Sequence, residues 1–326
     1  MADSRRALIC GVSGQDGAYL AKLLLDKGYE VWGTSRDAQA SSFSNLKAVG
    51  VLDRVHALSM ASNDFRSVFQ AVSLSRPHEI YNLAGQTSVG LSFEQPVETL
   101  ESIGIGTLNL LEVIRLLAPE VRFYNAGSSE CFGNTHGAAA TATTPFEPRS
   151  PYAAAKATAH WLVSNYRSAY KLFACTGILF NHESPLRPPR FVTRKIVQAA
   201  VRIGGGSGEK LRLGNIAIER DWGWSPEYVH AMWLMLQTSE PQDVVIATGE
   251  SNSLEAFVAA AFDECGLDWR QHVESDSQLL RPSEILQSRG DTGQAERVLG
   301  WRAKLRMRDV VREMVRAERG QEAAAT

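Results

Sequence analysis

Apolar residues in the first half of the chain fall into short runs separated by longer amphipathic stretches. "RALICGV" is of strand length and apolar on both alternating faces, the pattern of a strand covered on two sides. "GAYLAKLLLDKG" follows with apolar positions at helical spacing and Gly28 to close it. "EVWGTSR" reads as a second strand and "VHALSM" as a third. "DFRSVFQAVSLSRP" reads as a helix, "EIYNLAG" as a fourth strand, and "TLESIGIGTLNLLEVIRLLAP" as a long helix ended by Pro119. "VRFYNAGSS" is a fifth strand. This alternation predicts an α/β fold with a doubly wound parallel sheet. Such sheets bind ligands at the carboxyl ends of their strands, where "GVSGQDG", "NLAGQTS" and "AGSSE" fall.

The second half is less regular. "NHESPLRPPR" reads as a Pro-rich loop, "FVTRKIVQAAVRI" as a helix, "GGGSGEK" as a loop and "LRLGN" as a strand. "SPEYVHAMWLMLQ" is helical, "DVVIATG" is a strand, and the tail from Ser253 reads as mostly helical. No repeat or linker divides the chain. The expected organisation is a dinucleotide-binding domain over residues 1–180, with a return segment near 216–250, and a smaller substrate-binding lobe over 181–326, packed around a cleft.

Composition narrows the class. With 326 residues, 44% hydrophobic and 21% charged, the composition is ordinary for a globular enzyme. Its formal charge of -2 gives no case for a nucleic-acid or membrane partner. No apolar run approaches the ~18 residues of a membrane span, and "MADSRRALICG" has no signal-peptide character. A cytoplasmic location is expected. The four cysteines form no C-x-x-C pair and the seven histidines no metal-ligand spacing, so no metal site is expected.

Gly11, Gly14 and Gly17 form G-x-x-G-x-x-G between a strand and a helix. Glycines there permit a tight turn, and the helix start presents free N–H groups to a diphosphate. The fold class is therefore a Rossmann sheet. The second strand ends in "GTSRD", where Arg36 suits the 2′-phosphate of NADP and Asp37 keeps NAD open. "GGGSGEK" is no phosphate loop, because Glu209 interrupts the motif and a strand follows Lys210.

"SPYAAAKATAHW" places Tyr152 and Lys156 one helical turn apart. An ammonium near a phenol favours phenolate, which can take a proton from an alcohol as hydride leaves its carbon. Ser128, at the end of the fifth strand, can bond the reacting oxygen. Glu130 is surplus to that chemistry, since alcohol oxidation needs only one base.

These residues resemble the extended short-chain dehydrogenase/reductases and, more closely, the GDP-mannose 4,6-dehydratases. The likeness runs from "ALICGVSGQDGAYLAKLLLDKGY" to "AERVLGW", through "PRSPY", "GILFNHESP", "FVTRKI", "LRLGN" and "RDWG". It implies a lyase with a catalytic nicotinamide cofactor and a GDP-sugar substrate, in a homodimer or homotetramer. It implies that Tyr152 takes the C4 hydroxyl proton and that Glu130 is the second base, removing the C5 proton. By the same likeness Gln15, Asp16, Ser59, Leu83, Ala84, Gln86, His182 and Arg187 join the glycines around the cofactor. Ser88, Ser129, Asn181, Glu183, Val192, Thr193 and Lys195 would contact the nucleotide sugar. Leu213, Gly214, Asn215 and Arg220 would run along the nucleotide, Arg220 on the diphosphate, with Arg281 and Glu284 over the guanine or ribose.

The chain departs from the family pattern at several points. "RDAQASSF" stands for the family's Arg-Arg-Ser-Ser run, Ser59 for its adenine-contacting aspartate, "AGQTS" for "AAQS" and "GSSE" for "STSE". None removes a catalytic group. Two other readings stay open: an NADPH-dependent reductase of a GDP-4-keto-6-deoxy sugar, with Glu130 in a binding role, or a dehydratase acting on another GDP-sugar.

Overall fold

A computed structural model describes residues 4–325. The strands are β1 (Arg6–Cys10), β2 (Glu30–Ser35), β3 (Val55–Ser59), β4 (Glu79–Asn82), β5 (Arg122–Ala126), β6 (Ala174–Leu179), β7 (Asn181–Glu183), β8 (Leu211–Leu213), β9 (Glu219–Trp224), β10 (Val244–Ile246), β11 (Ser251–Ser253) and β12 (Val273–Ser275). Seven form one sheet in the order β10-β6-β5-β4-β1-β2-β3, every pair parallel. The chain reverses direction across this sheet between β1 and β4. A ligand crevice opens at such a switch point.

The helices are α1 (Gln15–Asp26), α2 (Ser44–Ala48), α3 (Phe65–Ser75), α4 (Val89–Glu94), α5 (Pro96–Leu100), α6 (Gly106–Leu117), α7 (Pro151–Tyr170), α8 (Val192–Gly204), α9 (Ser225–Met235), α10 (Leu254–Asp263), α11 (Gly293–Leu299) and α12 (Met307–Ala325). Alternate residues of β1 serve opposite cores. Ala7 and Ile9 belong with Leu20 and Leu24 of α1 and Met232 of α9. Leu8 and Cys10 belong with Val68 of α3, Leu110 and Ile114 of α6, and Val163 of α7. Both faces are covered, which is why the strand is apolar throughout. A separate core joins Ile196, Phe257 and Val311 from α8, α10 and α12. β10 returns to the main sheet beside β6. Among the described residues no helix is long and apolar enough to cross a membrane.

The glycine turn is built for close approach. Gly11 has φ +85°, and a Cβ there would lie 3.0 Å from the Ala84 backbone. A Cβ on Gly17 would meet the Gly11 carbonyl at 2.5 Å, so α1 can pack on the turn only with glycine there.

Three stretches differ from the sequence expectation. The long helix after β4 is α5 and α6 joined by a π turn over Glu101–Ile105. That extra residue brings the Ser102 hydroxyl to accept from the Gln86 N–H at 3.3 Å, tying the helix to the loop after β4. "NHESPLRPPR" is not loop throughout: its first three residues are β7, parallel to β9, with β11 antiparallel on the far side. The tail from Ser253 is α-helical only in α10, α11 and α12, with short 3₁₀ turns at Trp269–Gln271 and Ser277–Leu279, and β12 between them pairs with β8. β7, β8, β11 and β12 have three residues each. At that length they carry no periodicity of their own and exist only through their partners.

Candidate active site

The turn after β5 and the first turn of α7 meet over the switch point. Ser128 caps a short 3₁₀ turn, its hydroxyl accepting from the Glu130 N–H at 3.3 Å. Ser150 caps α7 by accepting from the Ala153 N–H at 3.1 Å, with Pro151 in the first turn. That cap fixes the two positions that follow, so Tyr152 and Lys156 face the end of β5. Both are buried.

One cavity of about 410 Å³ collects the chemistry. Ser128, Ser129, Glu130, Tyr152 and Lys156 line it. So do Asp16, Leu83, His182 and Arg187 of the expected cofactor set, and all the residues expected on the nucleotide sugar: Ser88, Asn181, Glu183, Val192, Thr193, Lys195, Leu213, Gly214, Asn215, Arg220, Arg281 and Glu284. Gly11, Gly14, Gln15, Gly17, Arg36, Ser59, Ala84 and Gln86 lie outside its lining. Seven Lys and Arg side chains face four Asp and Glu around it, in a chain whose formal charge is -2. The local excess of cations suits a polyanion.

Desolvation sets the titration of the central groups. It raises the Tyr152 phenol well above its ordinary value, opposed first by the Ser128 side chain. It brings the Lys156 ammonium down to about 8. The sequence expectation had Lys156 stabilise the phenolate. The ammonium donates to the Ala126 carbonyl at 2.7 Å and lies 5.9 Å from the Tyr152 ring centroid. Desolvation also raises the Glu130 carboxyl, against the pull of Arg220 and then Arg281, while Glu284 adds to the rise.

Several residues have their side chains committed elsewhere. Arg220 is 4% exposed and donates to the carbonyls of Glu219 and Ile285 and to Glu284, at 2.9, 2.8 and 3.1 Å. Its donors are largely spent on protein, so it acts here as counter-charge to Glu130. Gln15 and Asp16 likewise turn inward. Asp16 accepts from His182 Nε2 at 2.8 Å, Ser225 Oγ at 2.8 Å and Gln15 Nε2 at 3.0 Å. Their backbone N–H groups remain at the helix start. Ser59 Oγ accepts from the Ala38 N–H at 3.0 Å, and Gln86 Nε2 donates to the Ser88 carbonyl at 2.7 Å. Asp37 accepts from the N–H groups of Gln39 and Ala40 at 2.9 and 3.0 Å, while the Arg36 side chain is 88% exposed, its nearest acid Glu98 at 3.8 Å.

The sequence reading missed Arg190, Phe191, Arg212 and Trp222, which also line the cavity. The Arg187 guanidinium lies over the Phe191 ring at 3.8 Å. The available signal was "RPPRF", in which two arginines bracket a rigid turn and an aromatic follows.

The family model described as GDP-mannose 4,6 dehydratase matches residues 8–314. The chain belongs to that family. It is 44% identical over 321 residues to GDP-mannose 4,6 dehydratase 1 of Arabidopsis thaliana, covering 95% of this chain and 88% of the relative. It is 44% identical over 344 residues to the GDP-mannose 4,6-dehydratase of Sinorhizobium fredii (strain HH103), covering 98% and 97%. Among solved structures, DesIV, a dTDP-glucose 4,6-dehydratase from Streptomyces venezuelae with NAD bound, superposes with a TM-score of 0.87 at 24% identity, covering 98% of each chain. RMD from Pseudomonas aeruginosa complexed with NADPH gives 0.80 at 20%, covering 98% of this chain and 100% of that one. These last two likenesses are of fold.

The Asp16–His182 contact carries a consequence for family members built this way. His182 Nδ1 meets the Phe180 carbonyl at 2.7 Å and Nε2 meets the Asp16 carboxylate. Both neighbours are acceptors, so both ring nitrogens carry protons. Burial alone would lower the His182 pKa, but the Asp16 charge and hydrogen bond, with the Phe180 carbonyl, raise it overall. Burial alone would raise Asp16, but His182 and the Ser225 and Gln15 hydrogen bonds hold it far below the carboxylate range. Stability from a raised histidine is complete below its unfolded pKa and is lost as pH climbs through the folded one. Stability from a depressed aspartate is complete above its unfolded pKa and is lost as pH falls. We therefore predict that the chain's stability advantage over Asp16→Asn/His182→Gln peaks between about pH 4 and 6.5 and declines on the alkaline side. Urea unfolding of both proteins at pH 5.5 and pH 9 measures it. An advantage that is constant or grows with pH would refute the charged pair.

Proposed function

We propose that the chain converts GDP-mannose to GDP-4-keto-6-deoxy-mannose, by oxidation at C4, loss of water across C5 and C6, and reduction at C6. The carrying observation is the meeting of Tyr152, Ser128 and Glu130 in one cation-rich cavity. A nicotinamide dinucleotide, when bound, supplies the hydride acceptor for C4 and the donor for C6. The chain's residues fit it. A Cβ at Gly11 or Gly17 would crowd neighbouring backbone, so glycine at both keeps the turn tight, and the free N–H groups of α1 suit its diphosphate.

Tyr152 takes the C4 hydroxyl proton, and Ser128 holds that oxygen by hydrogen bonding. The resulting ketone acidifies C5–H. Glu130 takes the C5 proton, and the protonated acid then gives a proton to the departing C6 hydroxyl. Desolvation raises the Glu130 carboxyl and Arg220 restrains the rise, which makes it a stronger base than a free carboxylate and an acid able to return the proton. Arg187, Lys195 and Arg281 offer the charge for the GDP diphosphate.

The finer cofactor reading is NADP. Asp37 is occupied by its own turn, which weakens its claim on a ribose diol, and Arg36 beside it is exposed with only a loose ion pair to Glu98 at 3.8 Å. Arg36→Ala should weaken NADP binding about tenfold and leave NAD nearly unchanged, as fits loss of one exposed charge-assisted contact. Equal losses, read by fluorescence titration with both cofactors, would remove Arg36 from that role.

For the main reading, Glu130→Gln should lower kcat on GDP-mannose by about 100- to 10,000-fold, the usual scale of a lost general base, while cofactor affinity stays the same. The amide keeps the shape but cannot take the C5 proton. Turnover near the unmodified rate would overturn the assignment of Glu130.

A further inference from the structure

A second cavity, of about 680 Å³, opens at the opposite end of the main sheet's strands, where β1, β4 and β5 begin. Small-molecule sites span roughly 300–1,000 Å³. Four arginines line this one, against Glu79 and Glu120. Two of them are engaged. Arg5 donates to Gln237 at 2.9 Å and pairs with Glu79 at 3.5 Å. Arg122 donates to the carbonyls of Leu236 and Thr238 at 2.7 and 2.8 Å.

The other two, Arg6 and Arg76, are not. Among the described residues neither guanidinium has a hydrogen-bond or ionic partner; Arg76 is exposed, and Arg6 Nε alone is shut off from solvent. An enclosed donor without an acceptor is costly and rare. Basic residues often sit near helix ends to meet the terminal carbonyls, and α3 and α6 both finish here, at Ser75 and Leu117. Yet neither guanidinium donates to a carbonyl of those helices, so capping does not account for them. His78 supplies a further donor. Its Nδ1 accepts from the Arg6 backbone N–H at 3.0 Å, which in the neutral ring leaves the proton on Nε2. The Ser73 hydroxyl on the same wall has no protein partner among the described residues.

We propose that this cavity binds a phosphorylated small molecule. The two free guanidinium groups fork the phosphate oxygens, and His78 Nε2 and Ser73 Oγ complete the donor set. Two unpaired cations match a dianion better than a single carboxylate, and arginine forks suit phosphate geometry. Val72, Pro77 and Leu117 form an apolar wall for a short ligand body. The site lies across the sheet from Glu130 and Tyr152 and does not depend on the reaction proposed for them.

Calorimetric titration of the full chain tests this, with phenyl phosphate, inorganic phosphate and benzoate as probes, each with and without saturating GDP. One equivalent of phenyl phosphate should bind in both conditions, about tenfold tighter than inorganic phosphate or benzoate. Arg6→Gln/Arg76→Gln should weaken it about tenfold or more, with turnover of GDP-mannose unchanged when no phenyl phosphate is present. Arg76→Gln alone, at an exposed position, should weaken it severalfold and covers the event that the double variant does not fold. Unchanged affinity in the variants, or no binding at millimolar probe, would overturn the proposal. So would displacement by GDP, which would place the probe in the first cavity, or equal binding of benzoate, which would remove the phosphate specificity.

Discussion

At the end of β5 the Ser128 hydroxyl stands beside the Tyr152 phenol and accepts from the Glu130 N–H, so two titratable groups share one corner of the cavity. Desolvation pushes both upward. What separates them is their company. Tyr152 has a neutral hydroxyl as its chief relief, and Glu130 has Arg220 and Arg281. The phenol therefore stays protonated until a positive charge arrives nearby, while the two arginines oppose the upward shift of the carboxyl. A single alcohol oxidation would need only the phenol. Keeping a second, separately tuned base within two residues of Ser128 makes sense for a reaction with a carbon acid in it.

That corner depends on how the second lobe is fastened. Asp16 at the start of α1 is bonded to His182 of β7 and Ser225 of α9, so the cofactor turn, the nucleotide lobe and the returning helix meet at one carboxylate. Gln15 adds bonds to the His182 carbonyl at 3.2 Å and from Ser184 at 2.8 Å. Removing one member of a buried ion pair commonly costs about 3–5 kcal/mol. The same pair thus positions Asn181, Glu183 and Arg187, which follow the β7 register into the cavity.

The parts legible in the chain were those whose physics is local or strictly periodic. The two-sided apolar strands, Gly11 and Gly17 at the turn, and Tyr152 and Lys156 one turn apart all declare themselves within a few residues. The resemblance carried the nucleotide-sugar residues, and the structure brings those together in one cavity. What stayed hidden depends on distant partners. β7 is a strand only because β9 lies beside it. Ser102 reaches Gln86 only through a π turn that no apolar spacing reveals. Asp16 and Gln15 resemble cofactor ligands in sequence, yet residues more than 160 positions away claim their side chains. Lys156 reads as the phenol's partner at helical spacing, and only the fold shows that its ammonium also donates to the carbonyl of Ala126, 30 residues away.

The central claim is that oxidation, elimination and reduction all occur on one sugar held in one cavity. GDP-mannose labelled with deuterium at C4, mixed with unlabelled substrate, tests it most directly by mass spectrometry of the product. The account predicts deuterium at C6 of the molecule that carried it at C4, with no dilution by the unlabelled pool and no net reduction of added cofactor. Deuterium scrambled between molecules, lost to water, or collected in free reduced cofactor would contradict it and favour a reductase in which Glu130 only binds.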